Sequence, residues 1–297
     1  MASTQQVAVK EIFVAGAGLM GSGIAQTAIA SGFEVVLREI EQGLANRGAD
    51  NIRQRLERQV SRGKLESQAR DAALTRLKTT TELQQAARAD FVIEAITENF
   101  EAKRELFSQL DRICPPETIL ASNTSSIPIT RLAAATRRAD RVIGMHFFNP
   151  VPVMRPVEII RGRETSDATL EAALALGRAL GKTPITSLDY PGFIVNRMLV
   201  PFINEAIWAL MQGIGSPEDI DNGARLGLNH PMGPLELADF VGLDTHYAIC
   251  NVLWEGLHDP KFAAPPLLRQ LIEAGHYGRK TGRGFYRYAP DGSRLPD

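Results

Sequence analysis

The chain has 297 residues, 44% hydrophobic and 23% charged, a composition that excludes a disordered protein and suffices for two domains. A formal charge of −1 excludes a global field that would recruit nucleic acid or an acidic membrane, so any anionic ligand must meet a local basic patch. No apolar run reaches the length of a membrane span, the residues ahead of the first strand carry no signal-peptide core, and Cys114 and Cys250 lie in no CxxC; a reducing cytoplasm, with no membrane partner, is expected.

The first half alternates strand and helix. Residues 7–15 read as a buried strand, the glycine-rich turn after it opens a helix to about Ser31, and Gly32 stops that helix before a second strand over 33–37. The stretch from Glu39 to about Thr75 is too long for a simple crossover. Its Arg-, Gln-, Ala- and Leu-rich composition, broken at Arg62-Gly63-Lys64, predicts a helical hairpin inserted over residues 41–74. The basic residues of this insert (Arg47, Arg53, Arg55, Arg58, Arg62 and Lys64) form either a solvated helix face or a patch for an anionic ligand. Further strands are expected near 89–93, 118–121, 141–146 and 157–160, most of them separated by helices. That alternation predicts an α/β fold with a doubly wound, mostly parallel sheet covered on both faces.

From Tyr190 onward the pattern is almost wholly helical. Pro191-Gly192 reads as a hinge, which divides the chain into domains over 1–188 and 189–297, the second all-α. The residues from Tyr286, with their Pro, Gly and Asp, are expected to be a loose tail.

Gly16, Gly18 and Gly21 form G-x-G-x-x-G between a strand and a helix. The first glycine permits the tight turn, the second lets backbone approach a pyrophosphate, and the third lets helix and strand pack closely. The helix N-terminus, at Leu19 and Met20, then offers unpaired N–H groups and the positive end of its dipole. Glu39 ends the second strand about twenty residues on, where a carboxylate accepts from a ribose 2′-hydroxyl. Together these features point to a Rossmann-like dinucleotide site. The charge of Glu39 favours NAD over NADP, although Arg38 beside it could tolerate a 2′-phosphate.

Polar residues in apolar surroundings mark a second constellation. His146 ends the strand over 141–146, at the carboxyl end, which in such a sheet faces the ligand crevice. Glu158 is the carboxylate of an otherwise apolar strand and needs a partner if buried. If the two strands pair, Glu158 reaches the imidazole and fixes its tautomer, although a lone histidine can equally be structural. Asn196 sits on an apolar helix stripe, where it either serves the site or bonds backbone. Ser125 follows another strand end; without a G-x-S-x-G elbow it reads as a hydrogen-bond donor, not a nucleophile. The remaining histidines show no H-x-x-x-H pairing, so no metal site is expected.

These stations, with Glu94-Ala95-Ile96-Thr97-Glu98-Asn99, Ser122 to Ser126, His146-Phe147-Phe148-Asn149-Pro150, Pro191-Gly192-Phe193-Ile194-Val195-Asn196-Arg197, Pro231-Met232-Gly233-Pro234 and Lys280-Thr281-Gly282, resemble the L-3-hydroxyacyl-CoA dehydrogenase family, in its short, single-function, 3-hydroxybutyryl-CoA type. The resemblance covers nearly the whole chain. It implies hydride transfer between a 3-hydroxyacyl-CoA and NAD, as in fatty acid metabolism, with His146 and Glu158 as the acid–base pair. It further implies substrate contacts from Ser125 and Asn196, cofactor contacts from Glu98, Lys103, Ser125, Asn149 and Lys280, and CoA contacts from Arg62 and, as a poorer match, Arg55. The family's acidic ribose ligand is Asp, and Glu39 is its longer counterpart here. A homodimer formed through the helical domain is implied as well. Two other readings stand beside this one: a related dehydrogenase of another hydroxyacid, such as 3-hydroxyadipyl-CoA or a sugar acid, and a nucleotide-binding structural protein without turnover.

Overall fold

In the computed structural model, which describes residues 9–296, the alternating half of the chain builds one eight-stranded sheet. The start of the strand expected over 7–15, and the residues read for a signal peptide, lie outside the described residues. In chain order the elements are β1 (Glu11–Ala15), α1 (Leu19–Ala30), β2 (Glu34–Arg38), α2 (Gln42–Ser61), α3 (Ser67–Leu74), β3 (Leu77–Thr80), β4 (Phe91–Glu94), α4 (Phe100–Ile113), β5 (Ile119–Ser122), α5 (Ile129–Ala133), β6 (Val142–Phe147), β7 (Pro156–Arg161), α6 (Asp167–Ala179) and β8 (Thr183–Leu188). The sheet order is β3-β2-β1-β4-β5-β6-β7-β8. Every neighbouring pair is parallel except β6 and β7. The order reverses between β1 and β4, which opens a crevice at the carboxyl ends of the central strands.

Burial explains which strands the sequence declared. In β4, β5 and β6 every residue is buried, as expected for parallel strands covered on both faces. Ile12, Phe13 and Val14 of β1 are fully buried, each side chain contributing roughly 1.5–3 kcal/mol. The two strands not anticipated, β3 and β8, are the edges of the sheet. They are short or half-exposed, read Leu-Lys-Thr-Thr and Thr-Pro-Ile-Thr-Ser-Leu, and pair on one side only. An edge strand needs little apolar character, and Pro184 is tolerated there.

The insert after β2 is the helical pair α2 and α3. Ala45, Ala49, Ile52 and Leu56 form its buried stripe at helical spacing. On the other side of the sheet α4 starts at Asn99, whose side chain accepts the Ala102 N–H at 3.0 Å, a cap contributing about 1 kcal/mol.

The chain divides into two compact units, Met1–Tyr190 and Pro191–Asp297. The second contains α7 (Val195–Met211), α8 (Pro217–Asn222), α9 (Pro234–Val241), α10 (Leu243–Leu257) and α11 (Pro266–Glu273) around Val200, Ile203, Ile207, Leu235, Leu253 and Phe262. The segment from Tyr286, which composition marks as a loose tail, is pinned at its start. Tyr286 and Tyr288 are buried. Asp239 accepts the N–H groups of Phe285 and Tyr286 at 3.0 and 2.9 Å and the Tyr288 hydroxyl at 3.0 Å. The Tyr286 hydroxyl donates to Asp221 at 2.8 Å. Gly284 permits the approach, since a Cβ there would fall 1.9 Å from Asp239 Oδ1.

Candidate active site

The three glycines of the β1–α1 turn have different neighbours. Gly16 has φ of +106°, and a Cβ on it would lie 2.4 Å from the Ala95 carbonyl oxygen. A Cβ on Gly21 would lie 1.8 Å from the Gly16 carbonyl oxygen. Both glycines are therefore required by the protein's own packing. A Cβ on Gly18 would meet nothing within 4 Å, so this glycine faces open space. Gly18 is also the N-cap of α1, with no side-chain cap and no acidic residue in the first turn. An uncapped helix start facing open space fits the diphosphate of a dinucleotide.

Glu39 follows β2 directly, one residue beyond the strand's end at Arg38. Its Oε2 accepts the Ala17 N–H at 3.0 Å and its Oε1 the Ile40 N–H at 2.8 Å. The carboxylate thus stands over the glycine turn, each oxygen keeping capacity for a ribose hydroxyl. The Arg38 Nε donates to the Thr81 carbonyl at 3.3 Å.

Next to this turn lies a charged cluster that the sequence reading named only in part. Lys103 is buried with its Nζ 2.5 Å from Glu94 Oε1 and 3.2 Å from Glu98 Oε2. Glu94 ends β4, is fully buried, and also accepts the Ile96 N–H at 2.7 Å and the Ser122 hydroxyl at 2.5 Å. Burial pushes the Glu94 carboxyl up, against the opposing charge of Lys103. Glu98 Oε1 accepts the Thr124 hydroxyl at 2.6 Å, the Ser125 N–H at 2.9 Å and the hydroxyls of Ser125 and Ser126 at 3.3 and 3.2 Å. Burial raises the Glu98 carboxyl, but Lys103 and these donors outweigh it and hold it below the usual range. Lys103 is engaged within the cluster, and Glu98, whose side chain is 40% exposed, is the member that reaches solvent. Glu94 shares with Glu158 the signal of a carboxylate in an otherwise apolar strand.

His146 and Glu158 stand directly opposite each other in the antiparallel β6–β7 pair. The imidazole Nδ1 and Glu158 Oε2 are 2.8 Å apart. Glu158 is fully buried and His146 nearly so, with the Phe148 ring 4.6 Å from the imidazole centroid. A carboxylate oxygen that accepts from the ring places the hydrogen on Nδ1 and the lone pair on Nε2.

The other residues singled out from sequence are dispersed. Ser125 lies in the loop after β5, joined to Glu98. Asn149 is exposed in the turn after β6, before a cis Pro150. Arg62 is exposed at the end of α2, whereas Arg55 is half-buried, with Nη1 3.4 Å from Ser22 Oγ. Burial, then the neighbouring Arg58, lowers the Arg55 pKa. Asn196 is buried on α7, and Lys280 pairs with Asp244, both in the C-terminal unit. Among the described residues no His, Cys, Asp and Glu group could hold a metal ion, and no helix is long and apolar enough to cross a membrane.

Known proteins resemble this chain over nearly all of its length. Residues 11–190 match the model of the 3-hydroxyacyl-CoA dehydrogenase NAD-binding domain, and residues 192–288 that of the C-terminal domain. A probable 3-hydroxybutyryl-CoA dehydrogenase of Bacillus subtilis is 52% identical, across 94% of this chain and 98% of its own. A 3-hydroxybutyryl-CoA dehydrogenase of Bradyrhizobium diazoefficiens is 51% identical, across 94% and 96%. Among solved structures, the (S)-3-hydroxybutyryl-CoA dehydrogenase of Ralstonia eutropha superimposes with a TM-score of 0.92 at 48% identity, covering 95% of this chain and all of its own.

Proposed function

Because the chain belongs to the 3-hydroxyacyl-CoA dehydrogenase family, we propose that it interconverts an L-3-hydroxyacyl-CoA and the 3-ketoacyl-CoA, with NAD and a short acyl chain of the 3-hydroxybutyryl type. The observation that carries the reading is the buried His146–Glu158 hydrogen bond, in a sheet that also presents the glycine turn of a dinucleotide site. Bound NAD supplies hydride acceptance from C3 of the substrate, or donation in the reverse direction. His146 Nε2 takes the proton of the 3-hydroxyl as the carbonyl forms, and in reduction the imidazolium returns it. Glu158 keeps the proton on Nδ1 and provides the counter-charge when the ring is protonated. A positioned acid–base of this kind contributes roughly 10²–10⁴-fold.

Gly18 with the N–H groups of Leu19 and Met20 would hold the diphosphate in the turn that Gly16 and Gly21 shape, and Glu39 the adenosine ribose. Glu98, fixed by Lys103, Ser125 and Asn149 serve the nicotinamide half. Ser125 and Asn196 contact the substrate, Lys280 the cofactor, and Arg62, ahead of Arg55, the phosphates of CoA; the exposure of Arg62 supports that order. A homodimer through the helical unit, supported by the exposed Met198 and Trp208 of α7, and a cytoplasmic location, in keeping with two free buried thiols, complete the proposal. Oxidation of NADH that depends on acetoacetyl-CoA tests it. Turnover with free hydroxyacids but not with the CoA thioester would overturn it.

A further inference from the structure

The strand that carries His146 outruns its neighbour. The ladder between β5 and β6 ends at Ser122 opposite Gly144, but β6 continues to Phe147. His146 therefore lies in an overhang that is paired with β7 on one side and flanked by the β5 loop on the other. Glu158 holds the imidazole from the β7 side. On the loop side, the Phe147 N–H donates to Asn123 Oδ1 at 2.9 Å. That N–H belongs to the rigid peptide plane joining His146 to Phe147, so the bond fixes the backbone immediately beyond the histidine.

Asn123 is itself anchored. Its own N–H donates to the Glu94 carbonyl at 2.8 Å, at the end of β4. Flanking it, the Ser122 hydroxyl is held by the Glu94 carboxylate and the Thr124 hydroxyl by Glu98. One side chain thus ties the end of the histidine strand to a loop fixed on β4, and that loop carries Ser125 two residues later. The bond replaces the ladder where strand pairing has stopped.

We propose that Asn123 is a positioning residue for the dehydrogenation, setting the register between the loop that carries Ser125 and the strand end that carries His146. The proposal rests on His146 as the acid–base group. Its chemistry needs only an acceptor oxygen in that place, so an aspartate should serve where an aliphatic side chain of similar size should not.

The test is steady-state reduction of acetoacetyl-CoA by NADH, with NADH binding followed separately by fluorescence. Asn123→Leu should lower kcat about 10–100-fold, the scale of a small misplacement of reacting groups, with KM for the thioester and Kd for NADH within about twofold of wild type. Asn123→Asp should recover kcat to within about fivefold of wild type. If the leucine variant does not fold, Asn123→Ala removes the acceptor without added bulk and should show the same split. Full kcat in the acceptor-less variant, no recovery with aspartate, or loss of NADH binding in step with kcat would each overturn the proposal. His146→Gln in the same assay separates the two readings. If it retains kcat, the role of His146 fails. If it is inactive while the acceptor-less Asn123 variant keeps full kcat, only the role of Asn123 fails.

Discussion

Each unit buries a histidine, and the two are built for opposite ends. His146 in the sheet unit faces a carboxylate, with Nδ1 2.8 Å from Glu158. His246 in the helical unit is fully buried and faces an amide, with Nε2 3.0 Å from Asn204 Oδ1. Asn204 donates its Nδ2 to the carbonyls of Lys261 and Ala263, so its oxygen faces the ring and Nε2 must carry the hydrogen. The Nδ1 of His246 has no hydrogen-bond partner, and burial pulls its pKa down to about 4. An amide cannot neutralise an imidazolium. A carboxylate can, and that difference sets the ring proposed as the acid–base group apart from one locked neutral as part of a core.

The contrast breaks most visibly in activity. His146→Gln should lose on the order of 10²–10⁴-fold in kcat while NADH still binds, because only proton transfer is removed. His246→Gln should leave kcat per folded molecule near that of wild type, since Gln can still donate to Asn204. Stopped-flow turnover and NADH fluorescence on both variants check this. Equal losses would erase the distinction.

The next effect is on stability. His246 has a folded pKa of about 4, below its ordinary 6.5, so the unfolded chain binds the proton first. Its contribution is complete above pH 6.5 and is lost as pH falls toward 4, by up to about 3 kcal/mol. Asp239 opposes it, because burial raises its carboxyl to about 6 and its contribution is lost as pH rises through that value. The difference between wild type and His246→Gln in urea unfolding at pH 7 and pH 4.5 isolates the histidine. A variant that loses as much stability as wild type between those pH values would contradict the locked-neutral assignment.

Smaller effects are expected in the sheet unit. With Glu39 over the glycine turn, NAD should be preferred to NADP by at least about tenfold in kcat/KM, roughly 1.4 kcal/mol. Comparable efficiencies would show that Arg38 governs the choice. Arg62→Ala should raise KM for the CoA thioester severalfold with little change in kcat, an effect that fades as salt rises. Unchanged KM at low salt would make the exposed arginines of α2 a solvated face.

What the sequence disclosed follows burial and chemistry. The inner strands and the glycine turn were legible because full burial demands apolar runs and close backbone approach demands glycine. β3 and β8 were not, because an edge strand pairs once and can be built from Lys, Thr and Pro. Glu158 was legible as a misplaced charge, and Glu94 should have been on the same ground. Asn123 stands in the Ser122 to Ser126 run, but its part was not legible there, since it depends on where β5 stops and β6 continues, a fact of register. The closing tail misled because what pins its start, the buried Asp239 that accepts the Phe285 and Tyr286 N–H groups, lies far away in the sequence, on α9.

If His146 and Glu158 act as one unit, a double-mutant cycle in kcat will show it. His146→Gln and Glu158→Gln should each lower kcat, and the double variant should be little worse than His146→Gln alone, because the carboxylate has no function left once the imidazole is gone. Losses that multiply, each independent of the other, would contradict it.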